Sequence, residues 1–305
     1  MFGFIVRRVA AFLPVLFVIL SLSFFVMRLA PGGPFDQERV LPAQVRANIE
    51  ARYHLNEPLW RQYGRYLAAV LRGDLGPSFR YPDRSVNELL RLGFPVSLGL
   101  GLCALAVALG LGGAAGLLGG IHRNSLLDYL AMGLALGGIS IPNFVLGPVL
   151  MLVFALALHW LPVAGWGTWH HLVLPAFTLG VFYAAYVARL LRAGMLEVIG
   201  QDFIRTARAK GLRESAVILR HALPSAVLPV VSYLGPASAA ILTGSVVVET
   251  IFGIPGVGRY FVESALNRDY TMVLGTVVFY SVLLISFNLV VDVLYAYLDP
   301  RVQVR

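Results

Sequence analysis

The chain has 305 residues, 58% hydrophobic and only 13% charged, with a formal charge of +8 from 23 Arg, one Lys (Lys210) and 16 acidic residues. Soluble domains average roughly 25% charged residues, so these charges are too few to coat a water-exposed surface. The composition excludes a disordered chain, a disulfide scaffold (Cys103 is the only cysteine) and a soluble enzyme, and points to an all-α polytopic membrane protein.

A bilayer crossing needs about 20 apolar residues. Val9–Met27, between Arg7-Arg8 and Arg28, predicts the first span. Its apolar run exceeds the roughly 7–15 residues of a signal-peptide core, and Arg28 interrupts any small-x-small cleavage site, so it reads as a retained helix. Residues 28–91 then form a large soluble segment. Pro42, Val45, Ile49 and Tyr53 predict a short amphipathic helix there, and Pro58 opens a second with Trp60, Tyr63, Leu67 and Leu71 along one side. The segment reads as a cap on the outer membrane face or as part of a docking surface for an external partner. Leu92–Ile121 predicts the second span. No Asp, Glu, Lys or Arg lies between Asp128 and Arg189, which allows spans near 129–158 and 172–188 around a turn marked by His159, Pro162, Gly165, Gly167, His170 and His171. Ala222–Val248 and Tyr270–Val291 complete six spans. The chain thus divides into a first transmembrane helix (1–30), an outer segment (31–91) and a five-helix core (92–305) containing an inner loop at 189–221.

Basic residues in short loops favour the cytoplasm, and long loops do not count towards orientation. With both termini inside, inner segments carry 12 basic residues and outer segments 12, of which 10 fall in the long 28–91 segment. The short loops therefore stand at 12 against 2, and both termini are expected in the cytoplasm.

Gly112, Gly116 and Gly120 in the second span and Gly133 and Gly137 in the third repeat a small-xxx-small pattern that lets helices approach closely, within this chain or against a second one. Ser232, Ser238, Thr243 and Ser245 lie on the fifth span beside Pro236; these hydroxyls suit either a polar path or ordinary helix packing. The histidines flanking the outer turn lack Cys or carboxylate company, so no metal site is expected, and Cys103 reads as a small apolar residue.

The inner loop reads as two short helical stretches, about 202–210 and 214–223, flanking Gly211, with Arg208 and Lys210 in the turn before it. On charge alone it is a basic helix-turn-helix on the inner face, equally able to attract anionic lipid. Gly211, nine further residues, then His221-Ala222-Leu223-Pro224 resembles the cytoplasmic-loop motif of ATP-binding-cassette importer permeases, Glu-Ala-Ala, three residues, Gly, nine residues, Ile-x-Leu-Pro. Ala207, Gly211, Leu223 and Pro224 match it; Arg205 and Thr206 replace the opening Glu-Ala, and His221 replaces Ile. These departures resemble the peptide- and nickel-importing branch, whose loops read RTARAKG. MRLAPGGPF (27–35), YHLNEP (53–58), GDLGPSF (73–79), LHWLPVAGW (158–166), ETIFGIPGVG (249–258), ALNRDY (265–270) and VDVLY (291–295) resemble the B-type permeases of oligopeptide importers, so the resemblance covers nearly the whole chain.

The resemblance implies a type I importer permease of a bacterial inner membrane. A second permease completes the path, two cytoplasmic ATPases seat on the inner loops, and an extracytoplasmic binding protein delivers peptide. Arg205, Thr206, Ala207, Arg208, Gly211, His221, Leu223 and Pro224 would then be the ATPase-coupling residues. The small Ala207, Ala209 and Gly211 would permit close approach, and Arg205 and Arg208 would meet acidic groups on the ATPase. Dipeptide, nickel and glutathione permeases share the fold and remain alternative substrate readings. No nucleic-acid partner is expected.

The residues agree that the engine lies elsewhere. Lys210 is followed by Gly211, so a Gly-x-x-x-x-Gly-Lys-Ser/Thr loop is absent, and ATP and Mg are expected on partner subunits and no cofactor in this chain. The spans are expected to hold no charged residue in their interiors, which speaks against an ion-driven transporter. Ser140 in Gly-Ile-Ser-Ile-Pro lacks the final glycine of a serine-protease elbow, and His-Glu-x-x-His is absent, which speaks against an intramembrane protease.

Overall fold

The computed structural model describes residues 2–29, 55–81 and 83–298. Among them the regular structure is helical: α1 (Phe2–Leu29), α2 (Leu59–Leu71), α3 (Val86–Ile121), α4 (Leu126–Ser140), α5 (Asn143–Leu150), α6 (His170–Ile199), α7 (Asp202–Ala209), α8 (Leu228–Gly244), α9 (Val246–Ile251), α10 (Val257–Leu266) and α11 (Tyr270–Leu298). In lipid a helix satisfies every backbone group internally, and five of the helical stretches are long and apolar enough to cross, or six if the bent pair 126–140 and 143–157 is one span. That pair turns by 106° at Pro142, where the preceding Ile141 is extended. A residue before proline is pushed out of the helical region, and proline suits the start of the next helix. The expected helix through Pro42 lies outside the described residues.

One compact unit comprises residues 1–96 with 256–285. Here α2 begins after Pro58 as expected, but its inward side differs from the apolar stripe read from spacing. Trp60 and Leu71 are exposed, while Gln62 is buried and Tyr63 and Tyr66 pack on Phe24 of α1. Aromatic stacking and the Gln62 amide, which donates to the Leu55 and Glu57 carbonyls, outweigh the tendency to bury Trp60 and Leu71. Val86, Leu89, Leu90, Val257 and Met272 form this unit's core. The 73–81 and 265–270 stretches meet through Asp269, which accepts from the Ser78 hydroxyl at 2.5 Å and the Arg80 amide at 3.1 Å. Tyr81 donates to Glu263 at 2.6 Å.

The second unit comprises 97–255 with 286–305. Its centre is the contact of α3 with α6. A Cβ on Gly112 would lie 2.4 Å from the Ala184 carbonyl, one on Gly116 2.7 Å from that of Ala188, and one on Gly120 2.5 Å from the Met195 side chain. These glycines therefore pack within the chain. Gly133 and Gly137 do not: a Cβ there meets nothing within 4 Å, and Gly138 instead approaches Val181.

At two places the helices run beyond the charge-free windows. Helix α6 runs past the apolar stretch to Ile199, carrying Arg189 and Arg192 inside a helix long enough to cross. Arg192 donates to both oxygens of Asp128, at 2.6 and 2.7 Å, and Asp128 is only 2% exposed. Ser125 caps α4, its hydroxyl accepting from the Asp128 amide, and the Asp128 carboxylate accepts from the Asn124 amide. Glu249, expected in an outer loop, is fully buried in α9 and accepts from the Ser97 and Ser245 hydroxyls, each at 2.6 Å. A charge-free window marks the minimum length of a span; the helix continues wherever a buried charge finds its partner.

Candidate functional site

The inner loop is built on the end of α6. After Ile199 the chain turns at Gly200 and starts α7 from an extended Gln201. One side of α7 is anchored: Ile204 and Ala207 are buried in a cluster with Leu191, Met195, Val198, Val217, Ala222 and Ala226. The other side, with Asp202, Phe203, Arg205 and Thr206, is exposed. Spacing of 204 and 207 by three residues puts both on one face, so burial and display follow from the helical repeat.

The helix ends at Gly211, with φ of +76°. Its amide donates to the Arg208 carbonyl at 2.9 Å, and the Leu212 amide reaches the Ala207 carbonyl at 3.4 Å. A side-chain-bearing residue in this left-handed conformation costs about 1–2 kcal/mol, and a Cβ there would meet nothing within 4 Å, so the requirement is conformational rather than steric. Arg208 then clamps across the turn, donating to both oxygens of Glu214 at 3.1 and 2.6 Å. The guanidinium holds the Glu214 carboxyl below the ordinary carboxylate range. Arg205 makes only a 3.3 Å contact with Asp202, and its side chain is 75% exposed.

Beyond the clamp, Glu214–Ala216 is a short helical turn, Val217–Ala222 is π-helical, and Leu223–Ala226 returns to α. Pro224 has no amide to donate, and its ring would press on the carbonyl four residues earlier, so the chain widens before it. His221 and Pro224 are exposed and Leu223 half-buried. The long helix begins four residues later than Pro224, at Leu228. The backbone of Ala226 crosses α6 at Gly194, where a Cβ would come within 2.3 Å of its carbonyl.

Of the residues expected to couple, Arg205, Thr206, Arg208 and Gly211 are thus grouped on one exposed surface, with Thr206 donating to the Asp202 carbonyl. Two placements differ from expectation. Ala207 faces the core and cannot itself permit close approach, and Arg208 is already engaged by Glu214, a pairing that spacing alone does not single out because it closes around a turn.

The four hydroxyls expected along a path do not form one wall. Ser232 is exposed, donating to the Leu228 carbonyl; Ser238 is buried, 9% exposed; Ser245 is buried against Glu249; the Thr243 side chain lies outside the described residues. A cavity of about 850 Å³, which none of these hydroxyls lines, is bounded by Met132, Leu136, Tyr186, Arg189, Arg192 and Tyr233. The rings of Tyr186 and Tyr233 stack with centroids 5.6 Å apart. Sequence reasoning missed this group; its available signal was a tyrosine three residues before the first arginine to follow the charge-free run.

A family model described as binding-protein-dependent transport system inner membrane component matches residues 108–304. The oligopeptide transport system permease protein OppB of Haemophilus influenzae is 51% identical over 305 residues, covering 99% of this chain and 100% of that protein, and OppB of Escherichia coli K12 gives the same values. The dipeptide transport system permease protein DppB of Bacillus subtilis is 47% identical over 302 residues, covering 99% and 98%. Among solved structures, an inward-facing MetNI methionine transporter superposes with a TM-score of 0.60 at 18% identity, covering 69% of this chain and 96% of that one. A crystal structure of an amino acid ABC transporter with histidines gives 0.53, also at 18% identity, covering 68% and 94%. These last two are likenesses of fold.

Proposed function

The chain belongs to the family of binding-protein-dependent transport system inner membrane components, and from that premise we propose that it forms half of an oligopeptide path in an ATP-driven importer. It is a multi-pass inner-membrane transport component. The substrate reading rests on full-length similarity to oligopeptide permeases. The similarity to a dipeptide permease supports the narrower alternative of dipeptides.

The observation that carries the mechanism is α7: a short helix anchored by Ile204 and Ala207 with its polar side displayed. In the proposed assembly a second homologous permease completes the path, and two ATPases carry ATP and Mg. An extracytoplasmic binding protein delivers peptide, and both termini are cytoplasmic. The exposed side of α7, with Arg205 and Thr206, seats in an ATPase cleft. Gly211 and the Arg208–Glu214 clamp fix the angle at which the helix is presented. Ile204 and Ala207 pass ATPase motion to α6, because they pack on Leu191, Met195 and Val198 of that helix. His221, Leu223 and Pro224 hold the widened return turn. On the path side, Tyr186, Arg189 and Tyr233 supply a polar, aromatic wall.

The test is uptake by the reconstituted complex with its binding protein. Labelled tripeptides should accumulate over dipeptides in an ATP-dependent manner; accumulation of dipeptides alone favours the narrower reading. The purified chain alone should hydrolyse neither casein nor esters.

A further inference from the structure

In the unit formed by residues 1–96 and 256–285, a cavity of about 280 Å³ lies between the end of α1, α2 and the start of α11. One water needs roughly 10–15 Å³ of such space, so the cavity exceeds a site for one bridging water. Arg28, Gln62, Tyr66, Asp74 and Tyr270 line it. Three of these bury a polar atom with no hydrogen-bond partner among the described residues: Nε of Arg28, Oε1 of Gln62 and the hydroxyl of Tyr66. Buried polar atoms are nearly always satisfied, and an orphan asks for a ligand or bound water. Three orphans around one cavity ask for a polar ligand.

The groups also state its charge. The Arg28 guanidinium sits over the Phe24 and Tyr270 rings, at 5.6 and 5.8 Å, and pairs with no carboxylate among the described residues. Arg28 is half-buried with its Nε fully covered, and a cation drawn out of water without an anion is disfavoured. Burial pushes the Tyr66 hydroxyl up to about 12, with Tyr63 adding to the effect, so it stays a donor. Gln62 is 9% exposed, and its amide nitrogen is spent on the Leu55 and Glu57 carbonyls, so its oxygen faces the remaining demand. Asp74 accepts from the Gly76 amide at the rim, while Arg65 on the same rim is paired with Glu57. The residues thus offer donors and a cation to an anion, and acceptors and an anion to a cationic donor.

Position identifies the ligand. Arg28 lies in the last turn of a span, the level of lipid headgroups, and Leu22, Phe25, Val26 and Leu29 form an exposed apolar lane leading to it. We propose that the cavity binds the zwitterionic headgroup of a membrane phospholipid, its phosphodiester on Arg28 and Tyr66 and its ammonium on the Gln62 oxygen and Asp74. The acyl chains lie along the apolar lane, which a peptide does not need. This assignment depends on membrane placement and not on the peptide reading.

The test uses the whole importer complex in nanodiscs of mixed phosphatidylethanolamine and phosphatidylcholine, released and read by native mass spectrometry. Phosphatidylethanolamine should be retained over phosphatidylcholine, whose quaternary ammonium cannot donate. Arg28→Gln should lower its retention at least about tenfold, and Tyr66→Phe should lower it by a smaller factor. If Arg28→Gln fails to assemble, Tyr66→Phe and the lipid preference decide the matter. Equal retention of the two lipids, retention unchanged in every assembled variant, or displacement of the lipid by a tripeptide would each overturn the proposal.

Discussion

Gly211 is the residue on which the proposed coupling surface turns. Its φ of +76° is open to glycine and costly to a branched side chain, while no neighbour would clash with one. Gly211→Val should therefore leave insertion and folded yield intact, strain the turn by about 1–2 kcal/mol, and abolish peptide-stimulated ATP turnover in the reconstituted complex. Unchanged co-purification with the ATPases together with unchanged uptake would remove the coupling assignment. Arg205 and Arg208 should then behave differently. Arg205→Ala loses a group free to meet the ATPase and should weaken docking, seen as reduced co-purification at moderate salt. Arg208 acts by way of Glu214, whose carboxyl it holds below the ordinary range. Because the folded value is the lowered one, the pair contributes above the ordinary carboxylate range and is lost as pH falls through the lowered value. Amide protection at Leu212 should follow that acid-side loss, and Glu214→Gln should flatten it. Gly211 was legible in the sequence because a glycine just past a basic helical turn has one usual reason to be there. The Arg208–Glu214 clamp and buried Glu249 were not, since each depends on which side chains the fold brings together.

At the scale of the element, the buried pairs decide helix registry. Asp128→Leu strips Arg192 of its partner. The cost should be about 2–3 kcal/mol, below that of a fully buried pair because Arg192 keeps 28% exposure. A thermal melt of the purified chain in detergent measures it, and Asp128→Leu with Arg192→Met should recover most of the loss. Glycines separate in the same assay. Gly112→Ala drives a Cβ towards the Ala184 carbonyl and should cost about 1–3 kcal/mol. Gly133→Ala meets nothing in this chain, so it should be silent in the isolated chain. The number of apolar stretches was readable from the sequence because bilayer thickness sets their length. Their ends were not, because α6 extends through Arg192 to Ile199 on the strength of a partner 64 residues away. Nor was the inward side of α2, where Tyr66 stacks on Phe24, Tyr63 packs against it at a tilt, and Trp60 is left in the open.

Taken as a whole molecule, the chain sorts its charge by side. Under the proposed topology the inner segments hold 12 basic and 6 acidic residues and the outer ones 12 and 10, so most of the +8 lies where an ATPase would dock. A chain with no Gly-Lys-Ser/Thr loop supplies no Walker site of its own, and the buried carboxylates Asp128 and Glu249 are held by Arg192 and by the Ser97 and Ser245 hydroxyls. Energy for transport is therefore expected from partners. Proteoliposomes holding the complete complex test this most directly, with ATP enclosed on the ATPase side, the binding protein outside and no ion gradient. The account predicts accumulation of labelled tripeptide that requires both ATP and binding protein and that disappears with Gly211→Val. Accumulation driven by a proton gradient in ATP-free vesicles would contradict it.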